Sequence, residues 1–316
     1  MASNTAWQEA LSVRFRRLLS GAQDGNPPWL GAVASGEDEG LFRPTDAPWV
    51  VHRDFGTLVG GIRALLVQAL HPGSLAGVRD HSRYEKDPLG RLAGTIRWLT
   101  VTTFAGHEAI RAEAFRVNRL HDRVNGEYRV NGGSQAPYSA KDQSLLLWVH
   151  VAFMESFLVA HELYTSTPIP AGALPSGADN YVAQWSRAVV PLGLRDVPMT
   201  RAAVDEYIDA QIRDGFLTSS DDTRRIIQFI RRPPLPALAR PVYRLLFAAA
   251  VVSLRPEFRQ MLGLKSPPRK ITTILTRATL RIVRWAIGPD SPIEDAAIAR
   301  LRRIGVMPPP EERISP

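Results

Sequence analysis

The residues best suited to chemistry in this chain are its seven histidines, His52, His71, His81, His107, His121, His150 and His161, all within one stretch of 110 residues. The 155 residues that follow contain none. Imidazole is the usual proton-transfer group near neutral pH and a common metal and haem ligand, so the cluster marks where a reaction centre would lie. The chain has no cysteine, which removes thiolate metal sites, iron–sulfur clusters, disulfides and cysteine nucleophiles together. There is also no HExxH pair, no Walker-type phosphate loop, no GxGxxG, no Gly-x-Ser-x-Gly elbow and no paired Glu-x-x-His of a di-iron bundle.

Helical phase separates the histidines. Ile110, Ala114, Val117, His121 and Val124 recur at spacings of four, three, four and three, placing His121 on an apolar, inward-facing stripe. Its ring is then either a hydrogen-bonded core histidine or one that faces a metal. Leu146, His150, Phe153, Phe157 and His161 form a second stripe, on which His150 and His161 stand about 16 Å apart and cannot share one iron. His161, beside Glu162, reads as structural and near a helix end. Arg91 and Thr95 lie one turn apart and can present donors to one bound group, or Arg91 can pair with Glu85 or Asp87. His71, before Pro72-Gly73, is expected at a helix C-terminus that favours a cation. The polar run Asp80 to Tyr84 reads as a pocket rim or an elaborate turn, whereas His52 and His107 show no pattern beyond a loop and a helix start.

The elements that must hold these groups are helical. Periodicity predicts helices at about 5–20, 56–70, 90–105, 107–125, 140–165, 200–214, 237–253 and 270–287, with strand-like alternation scarce. An all-α, single globular domain is expected. Double prolines at 27–28, 233–234 and 267–268 punctuate it. The run Gly132 to Pro137 is expected to be a loop between two helices, with Ser139 capping the second.

Net charge is +8, and from Arg224 to Arg303 seventeen basic residues stand against four acids. That surplus is either a solvated basic surface or one that draws anionic membrane; no nucleic-acid motif accompanies it. The N-terminal segment lacks the apolar run of a signal peptide and no stretch of about 18 apolar residues occurs, so a cytoplasmic protein is expected, with peripheral membrane contact through the basic C-terminal region.

Taken in order, LHPGSLAGVRDHSRYEKDPLGRLAGT (70–95), LHDRVNG (120–126), and Tyr138-Ser139-Ala140 leading to LLLWVH (145–150) resemble the MpaB-type oxygenase family, which includes the latex-clearing rubber oxygenases. The resemblance covers about residues 45–260. It implies an all-α fold of the haem-oxygenase type, a b-type haem among the helices and dioxygen as co-substrate. It assigns the proximal iron ligand to His121 and the family's Arg-x-x-x-Thr element to Arg91 and Thr95. Where rubber-cleaving members carry a lysine before that threonine as distal ligand, this chain has Gly94. On this reading residues 1–44 form an N-terminal helix and irregular arm, 45–262 the catalytic domain and 263–316 a basic helical extension packed on the core.

The expected function is a haem b-dependent oxygenase, an oxidoreductase acting with dioxygen on a small, largely apolar, lipid- or terpenoid-like substrate. Arg91, Arg119 and Arg123 would neutralise propionates or orient oxygen, with His71 among the cofactor-contacting residues and Arg91, Thr95 and His150 as catalytic candidates. The alternatives are a haem- or lipid-binding helical protein without turnover and a helical interaction module with a structural histidine network.

Overall fold

The computed structural model describes residues 5–81, 88–129, 133–288 and 291–309. The N-terminal half carries α1 (Ala6–Ser20), α2 (Leu30–Ala34), α3 (Ala47–His52), α4 (Gly56–Gln68), α5 (Pro72–His81), α6 (Pro88–Phe104) and α7 (His107–His121). A hairpin of β1 (Asn125–Arg129) and β2 (Gln135–Ser139) leads to α8 (Gln143–Tyr164) and α9 (Gly177–Trp185). A 3-10 turn (Ser186–Leu192) precedes α10 (Arg201–Arg213), α11 (Asp221–Arg231), α12 (Arg240–Ser253), α13 (Pro256–Met261), α14 (Arg269–Ile287) and α15 (Pro292–Arg303). The protein is all-α in class, with one small hairpin among the described residues.

α8 is the axis of the core. Its sequence is apolar nearly all round, and a helix of that kind must be enclosed by others. It is long and apolar enough to cross a membrane by length and composition, yet 72% of its most apolar window is buried inside the fold. α4 packs along it, and the contact is close because glycines face it. A Cβ at Gly60 would lie 2.6 Å from the Phe157 ring, and one at Gly56 would lie 2.8 Å from the Thr165 methyl.

Inside that same interface Arg63, fully buried, donates to Glu155 Oε1 at 2.7 Å and to Ser156 Oγ at 2.7 Å, with a second contact from its Nη1 to Glu155. A buried charge pair is tolerated only when its remaining donors also find acceptors, as they do here. α12 covers the other side of α4, and α14 lies against α12, α1 and α8. A second core of Trp29, Val33, Trp49, Phe104, Ile110 and Leu301 joins α2, α3, α6, α7 and α15.

Two local expectations fail here. Residues 125–129 and 135–139 are paired antiparallel strands, Asn125 opposite Ser139 and Arg129 opposite Gln135, where a plain loop between helices was expected. Accordingly α7 ends at His121, short of 125. Ser139 does not cap α8: the N-cap is Asp142, whose Oδ2 instead accepts from the Ser139 backbone N–H at 2.8 Å.

Candidate active site

A cavity of about 560 Å³ opens between α5, α6, α7, α8 and the 3-10 turn. It falls within the range of small-molecule and cofactor sites. α8 contributes Leu146, Val149, His150, Phe153 and Phe157; this is the stripe expected from the sequence, without His161. The last turns of α7 supply Arg116, Val117, Leu120 and His121, and α6 supplies Gly90, Gly94, Thr95, Trp98 and Leu99. α5 adds Gly73, Ser74, Gly77, Val78 and, at its end, His81.

His121 and His150 thus face one cavity from two helices. His150 is buried, and burial pushes its pKa down to about 4, so the ring is neutral at pH 7. Its Nε2 has no hydrogen-bond partner. His121 is also held below the usual imidazole value, by burial first and by nearby Lys141 second, with Asp122 opposing. Its Nδ1 is buried and unpartnered. Each of these two cavity-lining rings therefore carries one buried nitrogen without a protein partner, as do His71 behind the wall and His161 at the far end of α8. Neutral imidazole is the form that ligates a metal.

The remaining candidates divide plainly. Thr95 lines the cavity, whereas Arg91 lies on α6 with a side chain outside the described residues. Residues Ser82 to Asp87, which include most of the expected polar rim, also lie outside them. Arg119 and Arg123 are exposed and do not line the cavity; Arg119 lies over the Phe115 ring at 5.9 Å. Two residues along a helix is a rotation of about 200°, which puts Arg119 opposite His121. Among the described residues the arginine that lines it is Arg116, held to the buried carboxylate of Glu113 through Nε at 3.0 Å and Nη2 at 2.5 Å.

His71 sits one layer behind the wall, beside Trp148 at 6.2 Å and against Gly73, which does line the cavity. It was expected as a cation at a helix C-terminus. Instead its carbonyl accepts the first backbone bond of α5, and burial lowers its pKa to about 4.

Three other histidines have structural partners, and the first, His81, donates from Nε2–H to the Asn125 carbonyl at 2.9 Å. Thr103 Oγ1 spends its proton on the Leu99 carbonyl at 2.7 Å, so His52 Nδ1–H must donate to Thr103 at 2.8 Å and Nε2 must accept from the Tyr181 hydroxyl at 2.9 Å. Burial lowers its pKa to about 3. His161 Nε2–H donates to the Thr167 carbonyl at 2.7 Å, fastening the end of α8.

Sequence reasoning missed Arg116 and Trp98 as lining residues, and the run of glycines at 73, 77, 90 and 94. A Cβ at Gly94 would meet nothing within 4 Å, so this position is open space on the cavity wall.

The residues present fit a haem. The cavity has the volume, a mainly apolar lining, an arginine, and two imidazoles held neutral by burial. Among the described residues no group of three or more His, Asp or Glu could hold a metal by side chains alone, whereas haem needs only an axial one. Residues 49–285 match the family model described as "ER-bound oxygenase mpaB/B'/Rubber oxygenase, catalytic domain". No match to a curated protein or to a solved structure was found.

Proposed function

From the premise that this chain belongs to the mpaB/B'/rubber oxygenase family, of which it carries the oxygenase catalytic domain, we propose that it is a haem b-dependent oxygenase acting on a small, largely apolar substrate. The observation that carries the reading is that His121 and His150, both held neutral by burial, line one apolar cavity from two helices. His121 would hold the haem iron, and His150 lines the same cavity. Bound haem supplies the iron at which dioxygen is activated for transfer to carbon.

The chain's own residues supply the rest. Trp98, Phe153 and Phe157 give the substrate an apolar wall and exclude water, which strengthens every remaining polar interaction inside. His150, neutral at pH 7 and lining the cavity, can donate or accept one proton at its ring without first losing a charge. Arg116 offers a cation to an anionic group at the cavity edge, its own charge partly balanced by Glu113. Gly94 leaves open the space a side chain would take, so the substrate can reach further along α6 here than in a member with a lysine at that position.

The test is oxygen uptake by haem-reconstituted protein against a panel of terpenoid alcohols and unsaturated fatty acids. Substrate-dependent uptake with stoichiometric product is expected. Retained haem with no uptake on any member of the panel would replace this reading with haem binding without turnover.

A further inference from the structure

α14 has two apolar faces. At 100° per residue, Thr272, Thr276, Leu280 and Ile287 fall on one side and are buried against the core. On the opposite side lie Ile271, Ile274, Leu275, Ala278, Ile282 and Trp285, all exposed. Ile274 and Trp285 are 66% and 67% exposed. Scattered exposed apolar residues are ordinary, but a continuous stripe of five large ones along one helix marks an interaction face. α1 continues it: Trp7, also exposed, has its ring 5.4 Å from that of Trp285, and Gln8 Nε2 donates to the Trp285 carbonyl at 2.8 Å.

The charge along this helix has one sign. Arg269, Lys270, Arg277, Arg281 and Arg284 are all exposed, and residues 269–287 contain no acid. Lys270, Arg277, Arg281 and Arg284 share one flank by helical phase, between the buried face and the exposed stripe. Arg277 is braced by its bond to the Leu163 carbonyl at 2.7 Å, and Arg284 lies over the Phe55 ring at 5.9 Å.

We propose that the exposed face of α14, with Trp7, docks on an anionic bilayer surface, the helix lying in the membrane plane with its apolar stripe at the acyl boundary and its basic flank among the headgroup phosphates. Charge selects this occupant over a second copy of the chain. A two-fold self-contact would set the same cations against themselves, whereas an anionic surface neutralises them. The inference is independent of haem.

Sedimentation of the full-length protein with vesicles tests it. Phosphatidylglycerol vesicles should bind the protein and phosphatidylcholine vesicles should bind it far less, with binding falling as salt rises. Tryptophan emission should shift to the blue on binding. Ile274→Asp with Ile282→Asp should abolish binding, and Lys270→Gln or Arg281→Gln should each weaken it about fivefold. These positions are solvent-exposed, so the circular dichroism spectrum should be unchanged. Phe216→Asp, at an exposed apolar residue just beyond α10, serves as the control and should bind like the parent. Absence of binding to phosphatidylglycerol vesicles would overturn the proposal, as would equal loss in the Phe216 variant. A dimer in solution that Ile274→Asp/Ile282→Asp dissolves would assign the face to a second copy instead.

Discussion

Alanine at two adjacent glycines of α4 should move stability in opposite directions. Replacing glycine by alanine inside a helix favours the helix by roughly 1 kcal/mol at either position. At Gly61 a Cβ would meet nothing within 4 Å, so only that gain acts. Gly61→Ala should therefore stabilise by about 0.5–1 kcal/mol. At Gly60 the same atom would lie 2.6 Å from Phe157 Cδ1, 3.1 Å from Phe157 Cα and 3.2 Å from the Ser156 carbonyl oxygen. Two of these are backbone atoms of α8, and the Phe157 ring is itself confined, 5.5 Å from His52 and 6.0 Å from Phe153. The helices must part, and overpacking of this kind costs about 1–3 kcal/mol, which exceeds the propensity gain. Thermal melts followed by far-UV circular dichroism would show Gly61→Ala raised by about 2 °C and Gly60→Ala lowered by a similar amount or more. Because Phe157 lines the cavity, Gly60→Ala should also weaken haem retention. A Gly60→Ala protein as stable as Gly61→Ala would refute the close α4–α8 contact.

Acid should destabilise the fold well before its carboxylates titrate. His52, His71 and His150 are buried with pKa values of about 3, 4 and 4, against 6.5 in an unfolded chain. The stability they contribute as neutral groups is complete above pH 6.5 and is lost as pH falls toward 4, since the unfolded chain takes up protons that the fold refuses. Each contributes a slope of up to about 1.4 kcal/mol per pH unit, so urea midpoints at pH 7.5, 6 and 5 should fall steeply, and a flat profile would count against their burial. Glu155→Gln leaves Arg63 as an uncompensated buried charge and should cost about 3–5 kcal/mol, while a paired apolar replacement of both should cost much less, as a urea double-mutant cycle would reveal. His161→Ala removes the bond to the Thr167 carbonyl and should cost about 1 kcal/mol in the same assay, leaving the haem spectrum unchanged.

Long helices with one clear stripe were legible in the sequence, as α7 and α8 illustrate. Periodicity placed His121 and His150 inward, and both line the cavity. The short helices α2, α3 and α13 span too few turns for a period to register, and they depend on packing for their formation. The hairpin strands are short, five residues each, and Pro137 within β2 reads as a strand breaker although it is acceptable in a strand with a free edge. Arg119 and Arg123 stand close to His121 in sequence, but helical phase turns Arg119 away from it and both side chains are exposed. Arg116 reaches the cavity by the length of its side chain and by its anchor on Glu113, neither of which spacing reveals. His52, patternless in sequence, proves to be held by Thr103 and Tyr181, which lie 51 and 129 residues away along the chain.

The central claim is that His121 holds haem iron in this cavity. The absorption spectrum of haem-reconstituted protein tests it most directly, with His121→Ala and His150→Ala compared against the parent. A Soret band is expected in the parent, lost or displaced in His121→Ala and retained in His150→Ala. An unchanged spectrum in His121→Ala, or no Soret band in the parent, would contradict the account.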